Sequence, residues 1–255
     1  MKNRGLTAYQ LKLIAVAAMT LDHIGLWCNL LGREEFGLPL RVVGRIAAPL
    51  FLFLMTESLR HTGSRPRLLC RLWLGAVLHA SVSALLIRLT GEQEWYGNIF
   101  PTLFYVALFV TAVEDAKQGK PLFACVLAAF LGLGTMAASG HGVLSWLFPA
   151  LWTVEYSALF VALGLAWYFL PGRRAQIAVL LGLSLCSGLF SANAAWIQAL
   201  GFAPLFYGTQ WCMAFAAPLL YVYNGERGNG PRAWFYWYYP LHQYALLLAA
   251  WLLGR

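Results

Sequence analysis

Few side chains in this 255-residue chain could do acid–base or anion-binding chemistry from within an apolar segment. Asp22 and His23 are adjacent in one such segment, and Arg41 and Arg45 lie four apart in the next, a spacing that shares one helix face. Glu57, His79, Glu155, Gln210 and His242 complete the set. An imidazole in a poorly solvated place is a competent general base, and a nearby carboxylate can orient it and stabilise its protonated form. Guanidiniums hold phosphates or steady a developing oxyanion. No serine stands in a nucleophile-elbow motif, and no three or four ligands are spaced to converge on a metal, so no metal is expected. The cysteines (Cys28, Cys70, Cys125, Cys186, Cys212) are odd in number, scattered through apolar runs and without a CxxC pair, which argues against a disulfide framework. Direct group transfer with a histidine base is the most economical enzymatic reading. A small-molecule or proton-coupled transporter using the same charges is the alternative, and Asp22 or Glu155 could also serve as a plain internal brace for Arg45. His79 alone is as readily a histidine that satisfies a neighbouring carbonyl.

The elements that must carry these residues follow from composition. Hydrophobic residues make up 60% of the chain and charged residues 11%, against about 45–50% and 25% in a soluble domain. A globule of this size cannot bury that much apolar surface, so the excess faces lipid. Cutting at charge clusters, Gly and Pro gives an all-α, polytopic transmembrane bundle in one integral membrane domain. Its nine expected segments are 8–31, 39–59, 68–89, 98–115, 121–138, 149–170, 175–192, 203–223 and 233–253, each long enough for a bilayer core that needs about 20 residues per helix. Lys2 and Arg4 precede a first segment that is read as a retained helix, since it carries Asp22 and His23 and lacks a signal-peptide cleavage site.

Of the basic residues between segments, twelve fall on one side (Lys2, Arg4, Arg60, Arg65, Arg67, Arg71, Lys117, Lys120, Arg173, Arg174, Arg227, Arg232) and three on the other (Arg33, Arg88, Arg255). The positive-inside rule puts the N-terminus in the cytoplasm and the C-terminus outside. The net charge of +8 is therefore topology and not a nucleic-acid signal. Aromatic clusters such as Trp95-Tyr96 and the run from Trp234 to Tyr239 read as interfacial anchors. Counting about 1.5 Å of rise per residue places Asp22, His23, Arg41, Arg45, Glu155 and Gln210 in the outer third of the membrane. His79 falls near the midplane, His242 in the inner half of the last segment and Glu57 near the cytoplasmic end of the second. Pro49 removes the bond that would reach the Arg45 carbonyl, so a bent helix is expected beside the two arginines. Neither paired repeats nor broken helices at matching positions of two halves are visible, which weighs against a transporter.

Several stretches resemble the TraX family, named for a membrane protein that N-acetylates pilin in conjugative systems. They are Leu11-Lys12-Leu13-Ile14-Ala15 through Asp22-His23-Ile24-Gly25, and Gly44-Arg45-Ile46-Ala47-Ala48-Pro49 with Glu57 and Arg60-His61-Thr62. Asn98-Ile99-Phe100-Pro101-Thr102, Tyr223-Asn224-Gly225-Glu226-Arg227-Gly228 and Tyr239-Pro240-Leu241-His242 follow in order. The family looks like a branch of a wider group of integral-membrane acyltransferases. The resemblance implies an enzyme of the bacterial cytoplasmic membrane that takes acetyl-CoA from the cytoplasm and acetylates an amine or hydroxyl acceptor outside. That acceptor would be a pilin-like peptide amine, an amino sugar or a glycan; self-association is left open. His23 matches the motif histidine and Arg45 the motif arginine, with Asp22 beside them. The coenzyme head is expected near Arg60, Arg65, Arg67 and Arg71, with Arg41 and Glu57 also on the coenzyme's side. Its arm would pass His242 and His79 to reach His23. Arg45 or Gln210 would steady the oxyanion, and Glu155, Gln210 and Asn98 would meet the acceptor. One departure stands out: the family's Asp-Tyr-Gly is here Glu155-Tyr156-Ser157, which puts the local backbone in question.

Overall fold

A computed structural model describes residues 5–91, 97–138, 143–190, 194–199, 208–231 and 234–253. Lys2, Arg4, Trp95, Tyr96, Arg232 and Arg255, which entered the topology and anchoring expectations, lie outside the described residues. The described residues form helices and turns without a strand, apart from a single bridge between Leu6 and Tyr223.

The chain divides into two compact units. The first comprises Met1–Leu54, Pro171–Ser191 and Phe206–Arg255, the second Met55–Leu170 and Ala192–Leu205. The first holds α1 (Ala8–Leu30), α2 (Glu34–Gly44), the start of α3 (Ala47–Arg60), α9 (Arg173–Leu189), a 3-10 helix (Gln210–Ala216), α11 (Ala217–Tyr221) and α12 (Trp234–Leu253). The second holds the end of α3 with α4 (Arg65–Thr90), α5 (Ile99–Ala116), α6 (Leu122–Ala137), α7 (Val143–Leu147), α8 (Ser157–Phe169) and α10 (Ala195–Ala199).

Helix α4 shows which solvent these helices are built for. Its buried face carries His79 and Ser83 with Leu72 and Ala76, while Leu74, Leu78, Leu85 and Leu89 stand exposed. Polar groups inside and leucines outside is the reverse of a soluble helix, and lipid is the medium that satisfies it. The chain is a helical membrane protein. Among the described residues, four stretches are long and apolar enough to cross a bilayer: Ala8–Leu30, Glu34–Arg60, Arg65–Thr90 and Ile99–Ala116. Leu122–Ala137 and Ser157–Phe169 are apolar but shorter.

The expected segments differ from the helices in three informative places. The second runs further back, to Glu34, and breaks at Arg45-Ile46. Pro49 sits in the first turn of α3, where a missing N–H costs nothing, and the interruption falls at the residue whose carbonyl Pro49 could not serve. The sixth, expected at 149–170, is helical only from Ser157, because the chain turns from Ala150 to Tyr156 and enters α8 through left-handed φ values at Tyr156 (63°) and Ser157 (65°). The eighth, expected at 203–223, is no continuous α-helix in its described part: a 3-10 helix precedes the short α11, with Pro218 in the first turn of α11 where the chain changes from one form to the other. The short helices α7 and α10 were not expected at all.

In the first unit α1 and α2 form an antiparallel hairpin whose backbones nearly touch. A Cβ on Gly25 would lie 2.7 Å from the Gly37 carbonyl oxygen, and one on Gly44 would lie 2.7 Å from the Asp22 Cα. Small residues are what permit such an approach between membrane helices. The N-terminus of α1 is closed just as tightly. Thr7 and Gln10 make a capping box, and the carbonyls of Glu226 and Arg227 accept from the Ala8 and Tyr9 N–H groups at 2.8 and 3.0 Å. The Tyr223–Gly228 motif, whose role the sequence left open, is thus the cap of the helix that carries Asp22 and His23.

Candidate active site

Two polar clusters occupy the interior of the first unit, both reached from α1. The first is an ion pair. Asp22, Arg45 and Gln210 are all buried, and the Arg45 guanidinium meets Asp22 Oδ1 through Nη2. Arg45 Nη1 donates to Gln210 Oε1 at 2.9 Å, and Nε donates to the Arg41 carbonyl at 3.3 Å. Arg45 therefore ties α1, the end of α2 and the 3-10 helix together. Its position at the α2–α3 break is what aims it there: the backbone leaves the helix at Arg45, and the absence of a Cβ at Gly44 lets Asp22 come in beside it.

The second cluster is a histidine dyad. His23 Nδ1 lies 2.7 Å from His242 Nε2, with the two rings stacked at 4.9 Å between centroids. His242 Nδ1 lies 2.8 Å from the carbonyl oxygen of Tyr238, one turn back on α12. A carbonyl only accepts, so His242 Nδ1 must carry the proton. In the neutral ring Nε2 then bears the lone pair, and His23 Nδ1 must donate to it. His23 is left with its own lone pair on Nε2, the tautomer a general base needs. The Tyr238 ring stacks on His242 at 5.1 Å. Its hydroxyl meets Thr20 Oγ1 at 2.8 Å, and Thr20 in turn donates to the Val16 carbonyl at 2.9 Å. Thr20 and His23 are three apart on α1, and Tyr238 and His242 four apart on α12, so each pair shares a helix face.

This arrangement corrects two expectations. Adjacent residues point about 100° apart around a helix, so Asp22 turns to Arg45 while His23 turns to α12. The group that orients His23 is His242 and not the neighbouring carboxylate. His242 was also expected well inside the level of His23, whereas the two imidazoles touch. Equal rise from each helix start is a poor ruler when two helices begin at different heights and incline to each other. Sequence reasoning passed over Tyr238 and Thr20, yet the three- and four-residue spacings to the histidines were the available signal.

Other candidates sit in the second unit, each with a contact of its own. Arg60 Nη2 donates to the Trp167 and Tyr168 carbonyls at 2.8 Å, at the C-terminal end of α8 where a cation is favoured. Its Nη1 is 3.5 Å from Glu57. Arg65 donates to the Tyr168 hydroxyl at 3.2 Å. Arg67 and Arg71 are exposed, and Arg71 Nε donates to the Arg67 carbonyl at 3.3 Å. Asn98 is the N-cap of α5: its Oδ1 accepts from the Phe100 N–H at 3.2 Å, and its Nδ2 donates to the Ala76 carbonyl at 3.0 Å. Glu155 packs its carboxylate over Gly97, where a Cβ would lie 2.7 Å from Oε2, and its carbonyl accepts from Thr102 at 2.8 Å. His79 is buried on α4. Among the described residues, no three His, Cys, Asp or Glu side chains are grouped to hold a metal ion.

The family described as TraX protein matches residues 7–250. The chain is also similar to a protein of Dichelobacter nodosus described as probable fimbrial assembly protein FimC, serogroup H1. The two are 28% identical over 259 residues, which cover 98% of this chain and 97% of that one. No solved structure matches it.

Proposed function

The chain belongs to the TraX family, and from that membership together with the buried histidine dyad we propose that it is a membrane-embedded acetyltransferase. It takes acetyl-CoA from the cytoplasm and acetylates an amine or hydroxyl on the far side of the bacterial cytoplasmic membrane, which it crosses several times with its N-terminus inside. The relative's description as a fimbrial assembly protein and the acetylation of pilin associated with the family favour a peptide amine of a pilin-like protein as acceptor.

One observation carries this reading: the Tyr238–His242–His23 chain, at 2.8 and 2.7 Å, which puts the lone pair of the buried His23 imidazole on Nε2. His23 Nε2 removes the proton from the acceptor as its nitrogen or oxygen attacks the thioester carbonyl. The tetrahedral intermediate collapses with cleavage of the carbon–sulfur bond, and the imidazolium returns its proton to the departing thiolate. His242 holds His23 in the required tautomer and shares the transient positive charge. Arg45, fixed by Asp22 and Gln210, is our choice for the positive charge that favours the oxyanion.

The test is acetyl-CoA binding to the purified protein in detergent. A ligand of the native state raises the unfolding temperature with concentration, and saturable stabilisation by acetyl-CoA, with acetylated product found by mass spectrometry, is the expected result. The absence of any shift at millimolar acetyl-CoA would remove the enzymatic reading in favour of a transporter or structural subunit.

A further inference from the structure

The residue after the dyad is Gln243. It is 0% exposed, on the face of α12 that also buries Tyr239, Leu247 and Ala250. Both its amide oxygen and its amide nitrogen lack a hydrogen-bond partner. Buried amides in proteins are almost always satisfied, and within a membrane bundle water does not compensate. Two other buried polar side chains of the same unit do have partners: Gln210 accepts from Arg45, and Ser184 donates to the Leu180 carbonyl. An amide that offers a donor and an acceptor together, one residue from the histidine that holds His23, matches a ligand that offers the same pair in reverse.

We propose that Gln243 is a substrate-reading residue whose side chain pairs with a secondary amide of a bound substrate. This rests on the acetyltransferase reading above. Two substrates of that reaction present such an amide: the pantetheine arm of the acyl donor, close to its thioester, and the backbone of a peptide acceptor, next to its reacting amine. In both, the amide lies a few bonds from the reacting atom, as Gln243 lies one residue from His242.

The assignment makes an unusual joint prediction. An amide that serves the fold destabilises the protein when removed, whereas one that waits unpaired for a ligand leaves the empty protein as stable or more stable. Gln243→Met keeps the shape of the side chain, and Gln243→Leu is a second apolar variant in case one packs poorly. Each is compared with the wild type by thermal unfolding, without ligand and with acetyl-CoA, S-acetyl-N-acetylcysteamine or S-butyl thioacetate. A peptide amide with a free N-terminal amine serves as the acceptor probe. The expected result is an unfolding temperature equal to or above wild type in the empty variants, with affinity for an amide-bearing probe reduced about tenfold. Loss confined to acetyl-CoA and the cysteamine thioester, with S-butyl thioacetate unaffected, assigns the amide to the donor. Loss confined to the peptide assigns it to the acceptor. If both variants unfold at lower temperature and bind every probe like the wild type, Gln243 is structural and the assignment fails alone. If the wild type itself responds to no probe, the acetyltransferase reading falls and takes this one with it.

Discussion

The lone pair on His23 is set by a carbonyl two groups away. Tyr238 accepts from His242, His242 accepts from His23, and the remaining nitrogen is the proposed base. The relay depends on His242 Nε2 as an acceptor, so replacements of His242 should sort by that atom. Gln places an amide oxygen near the same point, and His242→Gln should keep a large part of the activity. His242→Leu should lower kcat about a hundredfold while leaving the protein folded, because the His23 proton then loses its acceptor. A kcat comparison of the two variants at matched folded concentration checks this. The ion pair makes a separate prediction about stability. Asp22→Asn leaves the buried Arg45 charge without its counter-charge and should cost about 3–5 kcal/mol, whereas Asp22→Asn with Arg45→Met should recover much of that loss. Denaturation in detergent of the single and double variants measures it. At this scale the sequence picked out Asp22, His23, Arg45, Gln210 and His242, which the structure gathers into two clusters, but misassigned two relations. Asp22 and His23 are neighbours in the chain and diverge on the helix, and the partner of His23 lies 219 positions away, where no local spacing rule reaches.

Helices deliver these groups through their irregularities. Gly44 is where α2 ends and where a Cβ would lie 2.7 Å from the Asp22 Cα. A methyl group at that position would push α1 away from Arg45, so Gly44→Ala should destabilise by about 1–3 kcal/mol and weaken the ion pair with it, as thermal unfolding of the variant alone and combined with Asp22→Asn would show. The start of α8 gives the opposite sign. Ser157 holds φ at 65° where the family resemblance supplies glycine, and left-handed backbone costs an L-residue about 1–2 kcal/mol. Ser157→Gly should therefore stabilise the protein by about 1 kcal/mol, read as a higher unfolding temperature. The bend beside Arg45 was legible because Pro49 cannot serve the Arg45 carbonyl. The turn before α8 was not, because Ala150 to Tyr156 keeps the hydropathy of a membrane helix while its backbone turns. The 3-10 stretch at Gln210 escaped for the same reason: periodicity reports what a segment buries, not how tightly it is wound.

At the scale of the whole chain, the membrane character was fully legible. A sequence that is 60% hydrophobic and 11% charged folds into helices that bury histidine and serine and expose leucine, as α4 does. Chain-wide resemblance to one family also carried over, as the match to residues 7–250 shows. What sequence could not convey is which buried charges meet, since that is decided by helix heights and inclinations. The proposed sidedness and the proposed base can be tested together. Inside-out membrane vesicles containing the protein are supplied with radiolabelled acetyl-CoA from the cytoplasmic face, and label is followed into acceptors enclosed on the other face. Wild-type vesicles should accumulate label there, and vesicles with the same amount of folded His23→Ala should do so about 10²- to 10⁴-fold more slowly. Labelling at the wild-type rate by His23→Ala would contradict a histidine base at this site.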